Sequence, residues 1–163
     1  MLRTRCHAPA FERTVLAFTR AGEHGLLWQA LCALAAVLDR RHRPAYVRAM
    51  RTVALAYLAN IALKHVVRRR RPRLDGLPAL SSTVTALSFP SAHSTTSFAA
   101  ARSLAAEGRV PGALVYAAAN AMALSRVYAG VHYPSDVAGG ALLGTAMAEL
   151  LAAVGPARGA AAR

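Results

Sequence analysis

Three short polar blocks hold the side chains in this chain that could do chemistry. The last runs from Ser125-Arg126 through His132 to Asp136 and sets an Arg, a His and an Asp at fixed spacing between two apolar runs. Charged and titratable groups are costly beside a membrane core, so their clustering there marks a candidate site. The two upstream blocks are Lys64 to Arg71-Pro72 and Pro90-Ser91-Ala92-His93. Lys64, Arg71 and Arg126 together would suit a phosphate. Arg presents planar paired donors to phosphate oxygens, and Lys supplies a point charge. Ser91, after Pro90 and before a helical run, is expected to cap that helix, leaving the N–H groups of Ala92 and His93 at its positive end for an anion. Of the two histidines, His132 has Asp136 four residues on. A carboxylate accepting its Nδ1–H would leave Nε2 free to attack phosphorus, so His132 is expected as nucleophile and His93 as general acid.

These blocks are positioned by apolar segments, at about 25–38, 52–67, 94–106, 110–124 and 137–154. Several fall short of the roughly 20 residues that cross a bilayer unaided. Five in succession, separated by Arg-rich or Pro-containing breaks, nevertheless favour a polytopic membrane bundle over a soluble helical domain. The expected fold is all-α, with about five membrane-embedded helices preceded by an amphipathic helix over Phe11–Arg20. That helix would lie at a membrane surface or, equally in pattern, on a soluble core. Breaks fall at 39–44, at 72–90 and at 108–111. Counting segments brings the blocks together: the first ends segment two, the second opens segment three, and the hairpin of segments three and four returns the chain to the same side at Ser125.

Residues 1–163 read as a single domain with a motif core at about 50–150, and residues 1–10 and 156–163 are expected to be mobile. The chain carries a net charge of +13, which excludes an acidic tail or a cluster of calcium loops. Of its 20 basic residues only Lys64 is a lysine. Cys6 and Cys32 suit neither a disulfide framework nor a zinc site, and Cys32 is expected as a small core residue. No cleavable leader is expected at the N-terminus. Arg68-Arg69-Arg70 read as an anchor for lipid headgroups, and His24 and His65 as packed or interfacial residues. Arg102 and Glu149 are expected to pair near the far end of their helices, and Gly140 and Gly144 to allow a close helix crossing. Arginines around 40–48 and at 109, 158 and 163 favour a site on the extracytoplasmic face of the cell membrane.

The three ordered blocks resemble the motifs of the type 2 phosphatidic acid phosphatase superfamily. Lys64 and Arg71-Pro72 match the first, Pro90-Ser91-Ala92-His93 the second, and Ser125-Arg126, His132 and Asp136 the third. The one departure is Ala92, where the family has Gly and the backbone approaches phosphate. The resemblance implies a helical bundle, a phosphohistidine intermediate and no metal or other cofactor. It implies His132 as nucleophile, Asp136 as its orienting group and His93 as acid. Lys64, Arg71, Ser91, Arg126 and the Ala92 backbone would bind phosphate. Pro72, Pro90 and Ser125 match the motifs without an assigned role. The partners expected are a lipid phosphate and membrane lipids, not nucleic acid. Size and Ala-rich segments look like bacterial members acting on polyprenyl phosphates, with undecaprenyl diphosphate and decaprenylphosphoryl-phosphoribose as candidate substrates. The alternatives are a vanadate-dependent haloperoxidase using the same anion cradle, and a non-catalytic basic membrane protein.

Overall fold

The computed structural model describes residues 9–73, 79–81, 83–108 and 110–154. Cys6, the turn signals at 75–78, Arg109 and the C-terminal tail lie outside the described residues. Six α-helices and no strand are present among the described residues: α1 Pro9–Ala21, α2 Leu26–Leu38, α3 Arg43–Val67, α4 Ala92–Ala106, α5 Gly112–Tyr128 and α6 Pro134–Val154. Short 3-10 turns at Glu23–Gly25 and Arg40–His42 join α1 to α2 and α2 to α3.

α3 starts nine residues before the apolar segment seen in the sequence. Pro44 sits in its first turn, where the missing N–H costs nothing, and Ala45, Tyr46 and Ala49 supply a buried face ahead of the apolar run. The arginines of that stretch, which mask it in the sequence, point outward or pair across the bundle; Arg48 meets Glu107 at 2.8 Å. α3 ends at Arg68, which takes the left-handed conformation at φ 52° and closes the helix with its N–H on the Lys64 carbonyl.

α4 is the central helix. Nine of its fifteen residues are buried, and most of these are Ala, Ser or Thr, so α3, α5 and α6 can all approach it. The closest crossing is with α6. A Cβ on Gly140 would lie 2.6 Å from the Ser91 carbonyl oxygen, and one on Gly144 would overlap the Thr95 carbonyl. The expected small-residue contact is therefore present, and it holds the start of α4 against the start of α6. The core at the other end is built on Trp28, Cys32, Tyr46, Ala49, Val53, Ala100, Leu104 and Val115. There Trp28 Nε1 donates to Ser97 Oγ at 2.8 Å. Arg102 pairs with Glu149 as expected.

Polarity runs inward. Asn60, Lys64, Thr95, Thr96, Ser97, Arg126 and Asp136 are buried, whereas Leu31, Leu34, Leu58, Leu114, Leu142 and Leu150 are exposed. By length and composition α6 is the described helix able to cross a membrane alone, and α1 with residues 23–38 would do so only as a pair bent by 51°. α2 and α4, at 13 and 15 residues, rise about 20 Å each, short of a hydrocarbon core of about 30 Å.

Candidate active site

The C-terminal ends of α3 and α5 and the N-terminal ends of α4 and α6 meet at one end of the bundle, as segment counting requires. One cavity there is lined by Lys64, Arg71, Ala92, His93, Arg126 and His132. The three blocks, up to 72 positions apart in sequence, therefore converge in space.

His132 lies in the turn between α5 and α6, 5% exposed. Pro134 opens α6, and the turn places Asp136 of its first turn behind the imidazole. Asp136 is fully buried; its Oδ2 accepts the Tyr133 N–H at 2.9 Å and stands 3.5 Å from His132 Nδ1. That separation is an ion-pair contact, longer than a good hydrogen bond. His132 Nδ1 has no hydrogen-bond partner among the described residues. On the other side of the ring, Nε2 is 3.1 Å from Arg71 Nη1. Burial, reinforced by Arg71, Arg126 and Lys64 and opposed by Asp136, lowers the His132 pKa to about 4, so the imidazole is neutral near pH 7.

Two of the cations are held by backbone carbonyls. Arg71 donates through Nε to the Thr85 carbonyl at 2.8 Å and through Nη1 to the Val131 carbonyl at 2.9 Å. These bonds fix its guanidinium beside His132. Lys64 Nζ donates to the carbonyls of Leu87, Ser88 and Pro90 at 3.3, 3.3 and 2.9 Å. With all three protons engaged, Lys64 acts on the cavity as a fixed charge and ties down the segment that enters α4. Asn60 assists by donating to the same Pro90 carbonyl at 3.2 Å. Arg126 is 3% exposed, and its Nε is buried with no hydrogen-bond partner among the described residues.

Ser91 caps α4 as expected, its Oγ accepting the Ser94 N–H at 3.5 Å. Its side chain is fully buried in that role. Ala92 lines the cavity with the first turn of α4. Pro90 is buried beneath it and Pro72 is half-buried beyond Arg71. Ser125 is buried under Arg126 and donates to the Met122 carbonyl at 2.7 Å.

Two findings correct the sequence reading. Arg69 is not simply a lipid anchor: its Nη1 donates to Asp136 Oδ1 at 3.0 Å and to Ser135 Oγ at 2.8 Å, and its guanidinium lies 4.0 Å over the Tyr133 ring. Within a run of four arginines no local pattern distinguishes it; only the α6 start does. Likewise α1 does not merely lie along a surface. Phe11 packs edge-on against Tyr128, and Thr19 is buried against His93, Ser125 and Arg126. His24 and His65 both line the cavity, and His24 Nδ1 meets the Tyr57 hydroxyl at 2.6 Å.

Comparison with known proteins agrees with this geometry. The chain is 36% identical over 151 residues to a protein of Mycobacterium tuberculosis (strain CDC 1551 / Oshkosh) named decaprenylphosphoryl-5-phosphoribose phosphatase, covering 92% of this chain and 84% of that one. A protein of the same name from Mycolicibacterium smegmatis is 40% identical over 124 residues, covering 76% and 68%. Among solved structures, Aquifex aeolicus LpxE aligns with a TM-score of 0.74 and 25% identity, covering 91% of this chain and 89% of its own. The PAP2 type phosphatidylglycerolphosphate phosphatase of Bacillus subtilis aligns with a TM-score of 0.73 and 23% identity, covering 89% and 76%. The model of the PAP2 superfamily matches residues 45–160, a span that takes in all three blocks, and the chain belongs to that superfamily as a phosphatase.

Proposed function

We propose that this lipid phosphate phosphatase hydrolyses the phosphomonoester of a polyprenyl-linked sugar phosphate, of the decaprenylphosphoryl-phosphoribose kind, through a phosphohistidine intermediate on His132 and without a metal. The observation that carries the reading is one buried imidazole with a carboxylate behind it and three fixed cations around its cavity. On this reading Asp136, 3.5 Å from Nδ1 at rest, takes the Nδ1–H in the reacting site, and the Nε2 lone pair, which faces Arg71 Nη1 at rest, turns to phosphorus. As the N–P bond forms, the ester P–O bond breaks and His93 gives a proton to the leaving oxygen. Water then attacks phosphorus, returns a proton to His93, and the N–P bond breaks to release phosphate. Arg71 and Arg126 bind the phosphoryl oxygens. The unpaired Arg126 Nε suits that role, because a phosphate oxygen would satisfy a buried charged donor. Lys64 adds charge, and the Ala92 N–H completes the cradle at the α4 N-terminus.

The substrate class rests on the mycobacterial relatives and on the rest of the cavity wall. Beyond the cations it offers Glu23, His24, Tyr57, Thr83 and Thr85, groups suited to sugar hydroxyls. Embedding of several helices is supported by the outward Leu residues and inward polar ones, the reverse of a water-soluble surface. With Arg40, Arg41, Arg43 and Arg48 at the opposite end, the positive-inside rule favours a site on the extracytoplasmic face.

The test is phosphate release by purified protein from prenyl phosphoribose, prenyl diphosphate, phosphatidate and phosphatidylglycerophosphate. The sugar phosphate is expected to turn over fastest, in EDTA as well as without it. His132→Ala and Asp136→Asn are expected to abolish release while the protein still inserts. Full activity in His132→Ala would falsify the mechanism, and loss of turnover in EDTA would remove its metal-free form.

A further inference from the structure

Thr19, outside all three blocks, ties the second to the third. It lies in the last turn of α1, where helical carbonyls lack partners of their own. Its carbonyl accepts the Gly22 N–H at 3.2 Å and also sits 2.9 Å from His93 Nε2. Its hydroxyl receives Arg126 Nη1 at 2.7 Å and stands 3.0 Å from Ser125 Oγ. Thr19 is 0% exposed. The approach is close at Gly22, where a Cβ would come 2.6 Å from the end of the Met122 side chain and 3.0 Å from His93 Cδ2.

We propose that Thr19 is a positioning residue of the active site: its hydroxyl orients Arg126 toward phosphate, and its carbonyl selects the proton-donating nitrogen of His93. The hydrogen bonds have one consistent direction. Arg126, having only donors, gives to Thr19 Oγ1. The Thr19 proton goes to Ser125 Oγ, and the Ser125 proton to the Met122 carbonyl, 2.7 Å away. Each hydroxyl then accepts once and donates once, and Ser125 of the third motif acquires a role as the end of this relay. With Nη1 held in the relay, Arg126 Nε remains without a partner among the described residues. At His93 a carbonyl can only accept, so Nε2 carries a proton in both charge states. The proton gained and lost in catalysis is therefore on Nδ1. α1 on this account backs the site, holding His93 and Arg126 from behind with a segment that precedes every motif.

This inference rests on the phosphatase reading for its consequences in turnover, but its effect on anion binding can be measured without turnover. The variants are Thr19→Val, which keeps the shape and removes the hydroxyl, and Thr19→Ser, which keeps the hydroxyl. In full-length protein, orthovanadate affinity is measured by titration calorimetry and kcat/KM by phosphate release. Thr19→Val is expected to lower both by about tenfold or more, the effect of losing a hydrogen bond to a charged group, and Thr19→Ser to restore both to within about threefold. Because Thr19→Val keeps the carbonyl, neutral His93 is expected to remain the Nε2–H tautomer in that variant, a split that general loosening of α1 would not produce. Should Thr19→Val fail to fold, Thr19→Ala against Thr19→Ser isolates the same oxygen. Wild-type vanadate affinity in Thr19→Val, or equal loss in the Ser and Ala variants, overturns the hydroxyl's role. Nitrogen-15 spectra of the histidines are expected to show neutral His93 as the Nε2–H tautomer; the Nδ1–H tautomer overturns the carbonyl's. Vanadate binding without release of phosphate from any lipid would instead remove the phosphatase reading and leave the positioning role standing on its own readout.

Discussion

Replacing Arg69 and its neighbour Arg68 in turn tests whether Asp136 is held from outside its own block. Arg68, Arg69 and Arg70 carry the same charge and would contribute alike if they served only lipid headgroups. Only Arg69 reaches Asp136, with Nη1 3.0 Å from Oδ1. Asp136 is fully buried, and Arg69 is 39% exposed. A hydrogen bond to a charged group is worth about 1.5–3 kcal/mol, and solvent screening at the exposed partner reduces this to about 1–2 kcal/mol. Arg69→Ala removes that bond, the bond to Ser135 and the guanidinium over Tyr133. Asp136 is left with the Tyr133 N–H and the long contact to His132. If the orientation of Asp136 is what readies His132, a loss of about 1–2 kcal/mol appears as a fall in kcat/KM of about 5- to 30-fold. A second readout is specific to this arrangement. With Arg69 gone, the carboxylate charge is shared with His132 alone and favours the imidazolium, so the acidic limb of kcat/KM is expected to move to higher pH. The assay is phosphate release in detergent micelles from pH 4 to 9 for Arg68→Ala, Arg69→Ala, Arg69→Lys and wild type. Arg68→Ala is expected to stay within about twofold of wild type, since surface changes away from specific contacts have small effects. Arg69→Lys keeps the charge without the planar fork and is expected to recover only part of the loss. Equal effects at positions 68 and 69, or an Arg69→Ala enzyme within twofold of wild type with an unmoved acidic limb, would refute the reasoning.

Three further outcomes are expected. Burial lowers the His132 pKa from 6.5 to about 4, so the unfolded chain binds the extra proton first as pH falls. Stability is then lost progressively from about pH 6.5 down through 4, and the melting temperature in detergent should fall over that window less steeply in His132→Gln. The same shift puts the acidic limb of kcat/KM that belongs to the nucleophile near pH 4; a limb at 6.5 would mean His132 is solvated. Gly144→Ala places a methyl against the Thr95 carbonyl and the Ala99 N, which are backbone and cannot rotate away. It should cost about 1–3 kcal/mol of stability by overpacking, and Leu142→Ala on the outward face about 0.5 kcal/mol or less; comparable melting temperatures for the two would contradict the close crossing of α4 and α6.

Sequence alone settled what depends on local spacing and on counting. Ser91 before a helical run made a cap, Pro134 before Asp136 made a helix start, and the pairing of segments three and four brought Ser125 back to the side of Lys64 and His93. The small-residue spacing of Gly140 and Gly144 foretold their crossing, because a missing Cβ has the same consequence in any context. The true start of α3 was hidden, since arginines among Ala45, Tyr46 and Ala49 break an apolar count without breaking a helix. Tertiary structure alone decided which of four arginines serves Asp136, that Lys64 spends its protons on the carbonyls of 87–90, and that α1 reaches His93 and Arg126 through Thr19. Each of these depends on a partner 23 or more positions away and on a side-chain or carbonyl direction. Charge, polarity and spacing in one dimension do not encode such a direction; it exists only once α4 has gathered the other helices around it.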